Sequence, residues 1–203
     1  MNPAQGLERQ EDDAVPREAF TEEEIKRILG AYQRYPLRGG VEIVRVKAFV
    51  QLLLDTGLRI GDAVRLERRD VQGGVLRIRT AKRKRPVSIP LSPSLLELLD
   101  AVIGTSPHFY FWSGLGKLKS AIGDWQRTLS RLFKLAAVPD ACAHRCRHTF
   151  VKRLLMSGVP IDRVAVLLGH KCPTITMKHY AEWIPERQKQ LEAYIRLVQR
   201  NFA

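Results

Sequence analysis

The apolar residues of this chain recur at helical spacing along most of its length. The exception is one short tract, Val71 to Leu91, where they recur at every second position. A period near 3.6 puts side chains on one face of a helix, and a period of two puts them on one face of a strand. The architecture that follows is mainly α with a small three-stranded antiparallel sheet, an α+β fold. In the alternating tract Val71, then Gly73-Gly74, then Val75, Leu76 and Ile78, then Val87, Ile89 and Leu91 read as a meander. Its second hairpin carries four cations in a row, Lys82-Arg83-Lys84-Arg85, at the tip.

The helical tracts have recognisable ends. Thr21 and Glu24 have capping-box spacing, with Phe20 placed as a hydrophobic staple. Ile25, Ile28, Leu29 and Tyr32 follow at helical spacing, and Pro36 with Gly39-Gly40 ends that helix. Val41 to Thr56 reads as a buried helix closed by Gly57, and Ile60 to Leu66 as another. Pro93 opens a helix through Leu95, Leu98, Leu99 and Val102. The aromatic run His108 to Trp112 reads as a buried edge segment. Further helices are expected over 117–136, 141–157, 160–168, 173–183 and 185–200. Residues 1–18 are polar and contain Pro3 and Pro16, so they read as a tail or linker remnant, with one domain over 19–203.

The chain has 203 residues, 34 Lys+Arg against 21 Asp+Glu, and a formal charge of +13. Such an excess points to a polyanionic partner, most simply nucleic acid. Composition by itself leaves DNA, RNA, ribosome and anionic membrane open. No apolar run approaches the roughly 20 residues of a membrane span, and the polar N-terminus has no apolar core of a secretory signal. Three cysteines fit a reducing compartment better than a disulfide framework, so a cytoplasmic protein is expected.

Four local constellations can carry chemistry. Thr56-Gly57-Leu58-Arg59-Ile60-Gly61-Asp62 sets an arginine at a helix start after a glycine turn, with Asp62 on the same face and able to orient it. An ordinary surface salt bridge is the plainer alternative. Thr80-Ala81-Lys82 puts a lysine on a hairpin tip, where a solvated charge run is the plainer alternative. His144-Arg145-Cys146-Arg147-His148-Thr149-Phe150 brings His144, Arg147 and His148 to one helical face, suited to an anion, with Phe150, Leu154 and Leu155 seating the helix. Finally, His170 follows Leu167-Leu168-Gly169 where a helix should end, and Tyr180 follows ten residues later. The alternation Cys142-x-His144-x-Cys146-x-His148 lacks the Cys-x-x-Cys knuckle of structural zinc sites, although His170 and Cys172 complete a site on paper. No metal or other cofactor is expected.

Taken in order, these motifs resemble the catalytic domain of the tyrosine recombinases, the phage integrase family, over roughly residues 19–195. The family pattern of an arginine after Thr-Gly, a hairpin lysine, His-x-x-Arg, a histidine after Leu-Gly and a tyrosine falls on Arg59, Lys82, His144 with Arg147, His170 and Tyr180. His148 extends the match within Arg-His-Thr-Phe. The family's separate N-terminal DNA-clamping domain has no counterpart beyond the polar tail. Lys82 fits the Thr-x-Lys register, and Lys84 lies two residues away.

The resemblance implies site-specific recombination of double-stranded DNA through a 3′-phosphotyrosine intermediate. Arg59 and Arg147 would hold the non-bridging oxygens, His170 would add a hydrogen bond, Tyr180 would attack, His144 would accept its proton and Lys82 would protonate the leaving 5′ oxygen. Surrounding cations would favour the Tyr180 phenolate. Asp62 and His148 would support. The remaining basic residues, among them Lys117, Lys119, Arg127, Arg131 and Lys134, would track the duplex. A tetramer on DNA, with a monomer in its absence, is implied. The C-terminal segment would either dock onto a neighbouring protomer or pack on its own domain through Leu191, Tyr194, Ile195 and Val198. Competing readings are a catalytically silent DNA-binding module, a type IB topoisomerase-like relaxing enzyme, and a helical RNA- or ribosome-binding protein. The ordered motifs do not explain the last.

Overall fold

A computed structural model describes residues 18–36, 42–79, 86–102, 106–169, 180 and 183–201. Eight α-helices and one three-stranded sheet make up these residues. Helix α1 (Glu22–Gly30) begins at the expected capping box: Glu24 N donates to Thr21 Oγ1 at 3.1 Å, and Thr21 N donates to Glu24 Oε2 at 2.9 Å. The helix stops at Gly30 and tightens into a 3₁₀ turn, Ala31–Arg34, sooner than Pro36 would have ended it. Leu29 is 40% exposed, because it lies off the stripe formed by Ile25, Ile28 and Tyr32. Gly39-Gly40 and Val41 lie outside the described residues.

Helix α2 (Ile43–Thr56) is the core of the molecule. Val46, Ala48, Phe49, Val50, Leu52, Leu53 and Leu54 are all buried along it. Phe49 stacks on Trp125 with ring centroids 3.9 Å apart and meets Phe111 edge-on at 4.9 Å. The Trp125 indole, too large to be buried with its N–H unmet, donates to the Phe111 carbonyl at 2.8 Å. Helix α3 (Ile60–Val64) follows and ends two residues before Leu66, which is itself buried.

The sheet has the expected order. Strands β1 (Val71–Gln72), β2 (Val75–Arg79) and β3 (Pro86–Pro90) pair antiparallel in sequence order. Gly73 and Gly74 both have positive φ, +57° and +72°, as a tight two-residue hairpin turn requires. Leu76 pairs with Ile89 and Ile78 with Val87, so the apolar alternation falls on one face. Only part of the aromatic run is buried. Tyr110 and Phe111 are enclosed, His108 is exposed, and Phe109 forms a lone bridge with Glu67.

Helices α4 (Pro93–Asp100), α5 (Leu118–Leu135), α6 (Ala143–Met156), α7 (Ile161–Leu167) and α8 (Trp183–Asn201) complete the fold. Apart from Tyr180, the expected 173–183 helix lies largely outside the described residues. Helix α8 packs against α6. Its Leu191, Tyr194, Ile195 and Val198 are nevertheless 47–68% exposed, so of the two alternatives the packing of this face on its own domain is not seen among the described residues. No helix among the described residues is long and apolar enough to cross a membrane.

The main core gathers α1 to α5, the sheet and Cys146. A second, smaller apolar cluster lies under α6 and α7, formed by Ala19, Phe150, Val151, Leu155, Val164, Leu168 and Tyr180. Glu18, read from sequence as the last residue of the tail, is already docked on α6 together with Ala19: the Arg145 guanidinium donates to both of their carbonyls.

Candidate active site

The site forms where the end of α2 meets α6. Gly57 caps α2 in the left-handed region at φ +59°. A Cβ there would stand 2.5 Å from Phe150 Cδ1, so glycine is required by both conformation and space. With no side chain between them, α2 and α6 approach closely enough for Arg147 Nη1 to donate to the Gly57 carbonyl at 2.6 Å. Arg147 Nη2 donates to the Leu168 carbonyl at 3.0 Å, at the end of α7. A further hydrogen bond joins the Arg147 guanidinium to the Tyr180 hydroxyl. One buried arginine thus ties α2, α6, α7 and Tyr180 together.

Arg59 is the residue that precedes α3, with extended backbone (φ −68°, ψ 146°). Its Nη1 is buried and has no hydrogen-bond partner among the described residues. It lies close enough to Arg147 for the two charges to oppose each other. Burial first, and Arg59 second, push the Arg147 guanidinium down to about 10. A buried, unsatisfied guanidinium nitrogen costs free energy unless something meets it. Arg59 and Arg147, two cations side by side, fit an anion with several oxygens, and a phosphodiester has that form.

Asp62 is buried, and its carboxylate meets Arg65 Nη2 at 2.9 Å. The expected pairing with Arg59 is not made. Arg65 sits the same three residues away on the other side, and it is also held by the Arg79 carbonyl of β2 at 3.0 Å. Asp62 acts on the site through its charge, which favours the charged form of Arg147.

His144, Arg147 and His148 come together on one face of α6, as their spacing requires. His144 is exposed and His148 half-buried. Their rings meet edge to face at 4.6 Å, and the His148 ring in turn meets the Tyr180 ring at 5.4 Å. The ring against Tyr180 is therefore that of His148. His144 lines a cleft of about 470 Å³ together with Leu58, Arg59, Gln126, Ser130 and Cys142.

Tyr180 is 3% exposed. Its hydroxyl is raised above the ordinary tyrosine value because burial outweighs the opposing pull of Arg147 and Arg59. The cations favour the phenolate, as expected, but burial outweighs them. Lys82, Lys84, His170 and Cys172 lie outside the described residues. Gly169, just ahead of His170, closes α7 at φ +66°, as a glycine at a helix end does. Among the described residues no group of three or more His, Cys, Asp or Glu side chains is arranged to hold a metal ion.

Sequence reasoning did not find Arg145. It is buried and donates to the carbonyls of Glu18, Ala19 and Pro139 and to the Glu24 carboxylate at 2.8 Å, over the Phe20 ring. It has no place in the phosphate site. It fastens the segment before α1 to the opposite face of the helix that bears the site.

A buried tyrosine thus lies beside two arginines on a mainly helical scaffold. The family model described as the phage integrase family matches residues 18–187, and the chain belongs to that family. It is similar to the tyrosine recombinase XerC of Nitrobacter winogradskyi, 30% identical over 137 residues that make up 62% of this chain and 42% of that protein. The chain spans about half the length of the curated relatives it matches. Its fold is like that of the catalytic domain of bacteriophage HP1 integrase (TM-score 0.61, 22% identity, 88% of this chain and 94% of that one). It is also like that of a lambda integrase tetramer bound to a Holliday junction (TM-score 0.60, 21% identity, 81% of this chain and 48% of that one).

Proposed function

We propose that this chain is the catalytic domain of a site-specific recombinase that cleaves and rejoins double-stranded DNA through a 3′-phosphotyrosine link. The observation that carries this reading is the buried Arg59 Nη1, without a partner among the described residues, next to Arg147 and Tyr180. Family membership and the tyrosine recombinase names of its relatives support it.

In this reading the two guanidinium groups bind the non-bridging oxygens of the scissile phosphate. They are fixed in place before charge develops, which makes preorganised cations effective at a phosphoryl transition state. Tyr180 Oη forms the bond to phosphorus and the bond to the 5′ oxygen breaks. Lys82 protonates that oxygen, His170 adds a hydrogen bond to the phosphate, and a histidine of α6 takes the phenol proton. The phosphodiester bond energy stays in the covalent link, so a second 5′-hydroxyl can reverse the step on another strand. The chain works on DNA as a tetramer, the assembly seen in the lambda integrase relative.

Covalent trapping tests this. The chain is mixed in EDTA with a pool of end-labelled, nicked duplexes of randomised sequence and then denatured in detergent. Protein-linked DNA is expected from the wild type and none from Tyr180→Phe, which should still retain DNA without denaturant. An adduct that persists in Tyr180→Phe would sink the nucleophile assignment.

A further inference from the structure

We propose that Leu115 reads sequence: it touches the 5-methyl group of a thymine in the major groove, and so fixes one position of the DNA this chain selects. This rests on the reading of the chain as a recombinase that works on duplex DNA.

Leu115 is the most exposed large apolar side chain among the described residues, at 81%. Trp112 and Leu118, three residues away on either side, both pack against the main core. The tip between them is built to hold the leucine out. The Leu115 carbonyl accepts from Trp112 Nε1 at 3.2 Å and from Ser113 Oγ at 3.3 Å, and its N–H donates to Ser113 Oγ at 3.2 Å. Both backbone polar groups of Leu115 are thus met within the tip, as an ordered backbone requires. Gly114 and Gly116 flank it at φ +80° and +72°, conformations open to glycine. A Cβ on Gly114 would stand 3.3 Å from the Phe109 ring, and that ring in turn meets Trp112 at 4.9 Å. A tip braced in this way presents its side chain to a partner with little further loss of freedom.

The surroundings point to the partner. Leu115 lines a cleft of about 590 Å³ together with Arg45, Lys117, Arg127 and Arg131, and Asp124 is the only acid among its described lining residues. That acid is already paired with Arg127. One apolar side chain amid cations suits a partner that is anionic around a single apolar point. Duplex DNA has that form, with phosphates bordering each groove. Phosphate contacts position a protein, and base contacts give it sequence. Leucine has neither donor nor acceptor, so the hydrogen-bonding edges of the bases offer it nothing. The apolar group displayed in a groove is the thymine methyl, and it stands in the major groove.

The test selects the duplexes that the full chain retains from a pool of randomised sequence, then compares single sites by reversible binding. The wild type is expected to select a site with a thymine whose replacement by deoxyuridine, which removes only the methyl, weakens binding about fourfold, the weight of one apolar carbon. Leu115→Ala should bind the thymine and deoxyuridine duplexes alike. Leu115→Met, which keeps the apolar reach, should keep the preference. The salt slope should be the same in all three, because no cation is removed. A methyl effect of equal size in the wild type and Leu115→Ala, or a wild type that selects no such thymine, would overturn the proposal. So would a Leu115→Ala whose only change is a lower mass at high chain concentration, which would assign the leucine to a contact between copies. A wild type that retains no duplex from the pool removes the DNA reading itself, and this inference with it.

Discussion

Arg147 is 4% exposed, and its guanidinium falls to about 10, well below the ordinary arginine value. For a base, a folded value below the unfolded one means that the folded chain binds fewer protons between those limits. Stability then rises with pH across that window. At neutral pH the full penalty is present, roughly 3 kcal/mol from the size of the shift. Against it stand the carbonyls of Gly57 and Leu168, which would each lose a donor if Arg147 were shortened, at about 1–3 kcal/mol apiece. Arg147→Gln sets these effects against each other. A thermal melt is expected to move by only about 2–4 °C, while adduct formation is lost. Collapse of the fold would show that anchoring the two carbonyls outweighs the relief of burying a charge. That Arg59, Arg147, His148 and Tyr180 would lie near one another was legible because each motif has fixed spacing and the motifs keep their order. Their partners were less so. Asp62 stands three residues from both Arg59 and Arg65, and spacing cannot choose between them. The Arg79 carbonyl, from a strand the local sequence does not place, makes the choice.

Helix α6 works on two faces at once. One bears His144, Arg147 and His148. The other bears Arg145, Thr149 and Arg153, which hold the segment 18–24. Thr149 Oγ1 accepts from Phe20 N at 2.8 Å, and Arg153 meets Glu22 at 3.0 Å. Arg145 and Glu24 form a nearly enclosed pair, 9% and 12% exposed, and leaving one member of a buried pair alone is expensive. Arg145→Ala is therefore expected to cost about 3–5 kcal/mol in urea unfolding. Arg153→Ala, whose pair is open to water, should cost about 1 kcal/mol or less. Equal costs would mean that the segment is held by Phe20 packing rather than by the buried pair. Elements set by local rules were readable beforehand: the capping box at Thr21, the Gly73-Gly74 turn, and α5 and α6 to within two residues. The strap was not, because the Arg145–Glu24 contact spans 121 residues and leaves no local signature. The early end of α1 was also hidden, since Gly30 itself adopts ordinary right-handed backbone.

The formal charge of +13 belongs to the molecule rather than to its site. Arg59 and Arg147 are drawn inward, whereas Lys117, Lys119, Arg127, Arg131 and Lys134 are exposed along α5. Among the described residues, only Arg127 of that set is matched by a nearby acid, Asp124. The two groups of cations have separable consequences. Exposed cations on duplex phosphates release counterions, so binding should weaken steeply with salt, with a slope of about −0.9 for each phosphate neutralised. Titrating the chain onto duplex DNA between low and physiological salt should therefore give a linear log–log plot. Removing Lys119 and Arg131 together should flatten its slope by about two, the value for two lost phosphate contacts. Tyr180→Phe, which abolishes the adduct but removes no cation, should fall on the wild-type line. A slope untouched by the double substitution would place the duplex on another face of the molecule, and the search would move to the cations of the sheet and α8. A slope shifted by Tyr180→Phe would mean that the adduct itself, rather than reversible binding, had been measured.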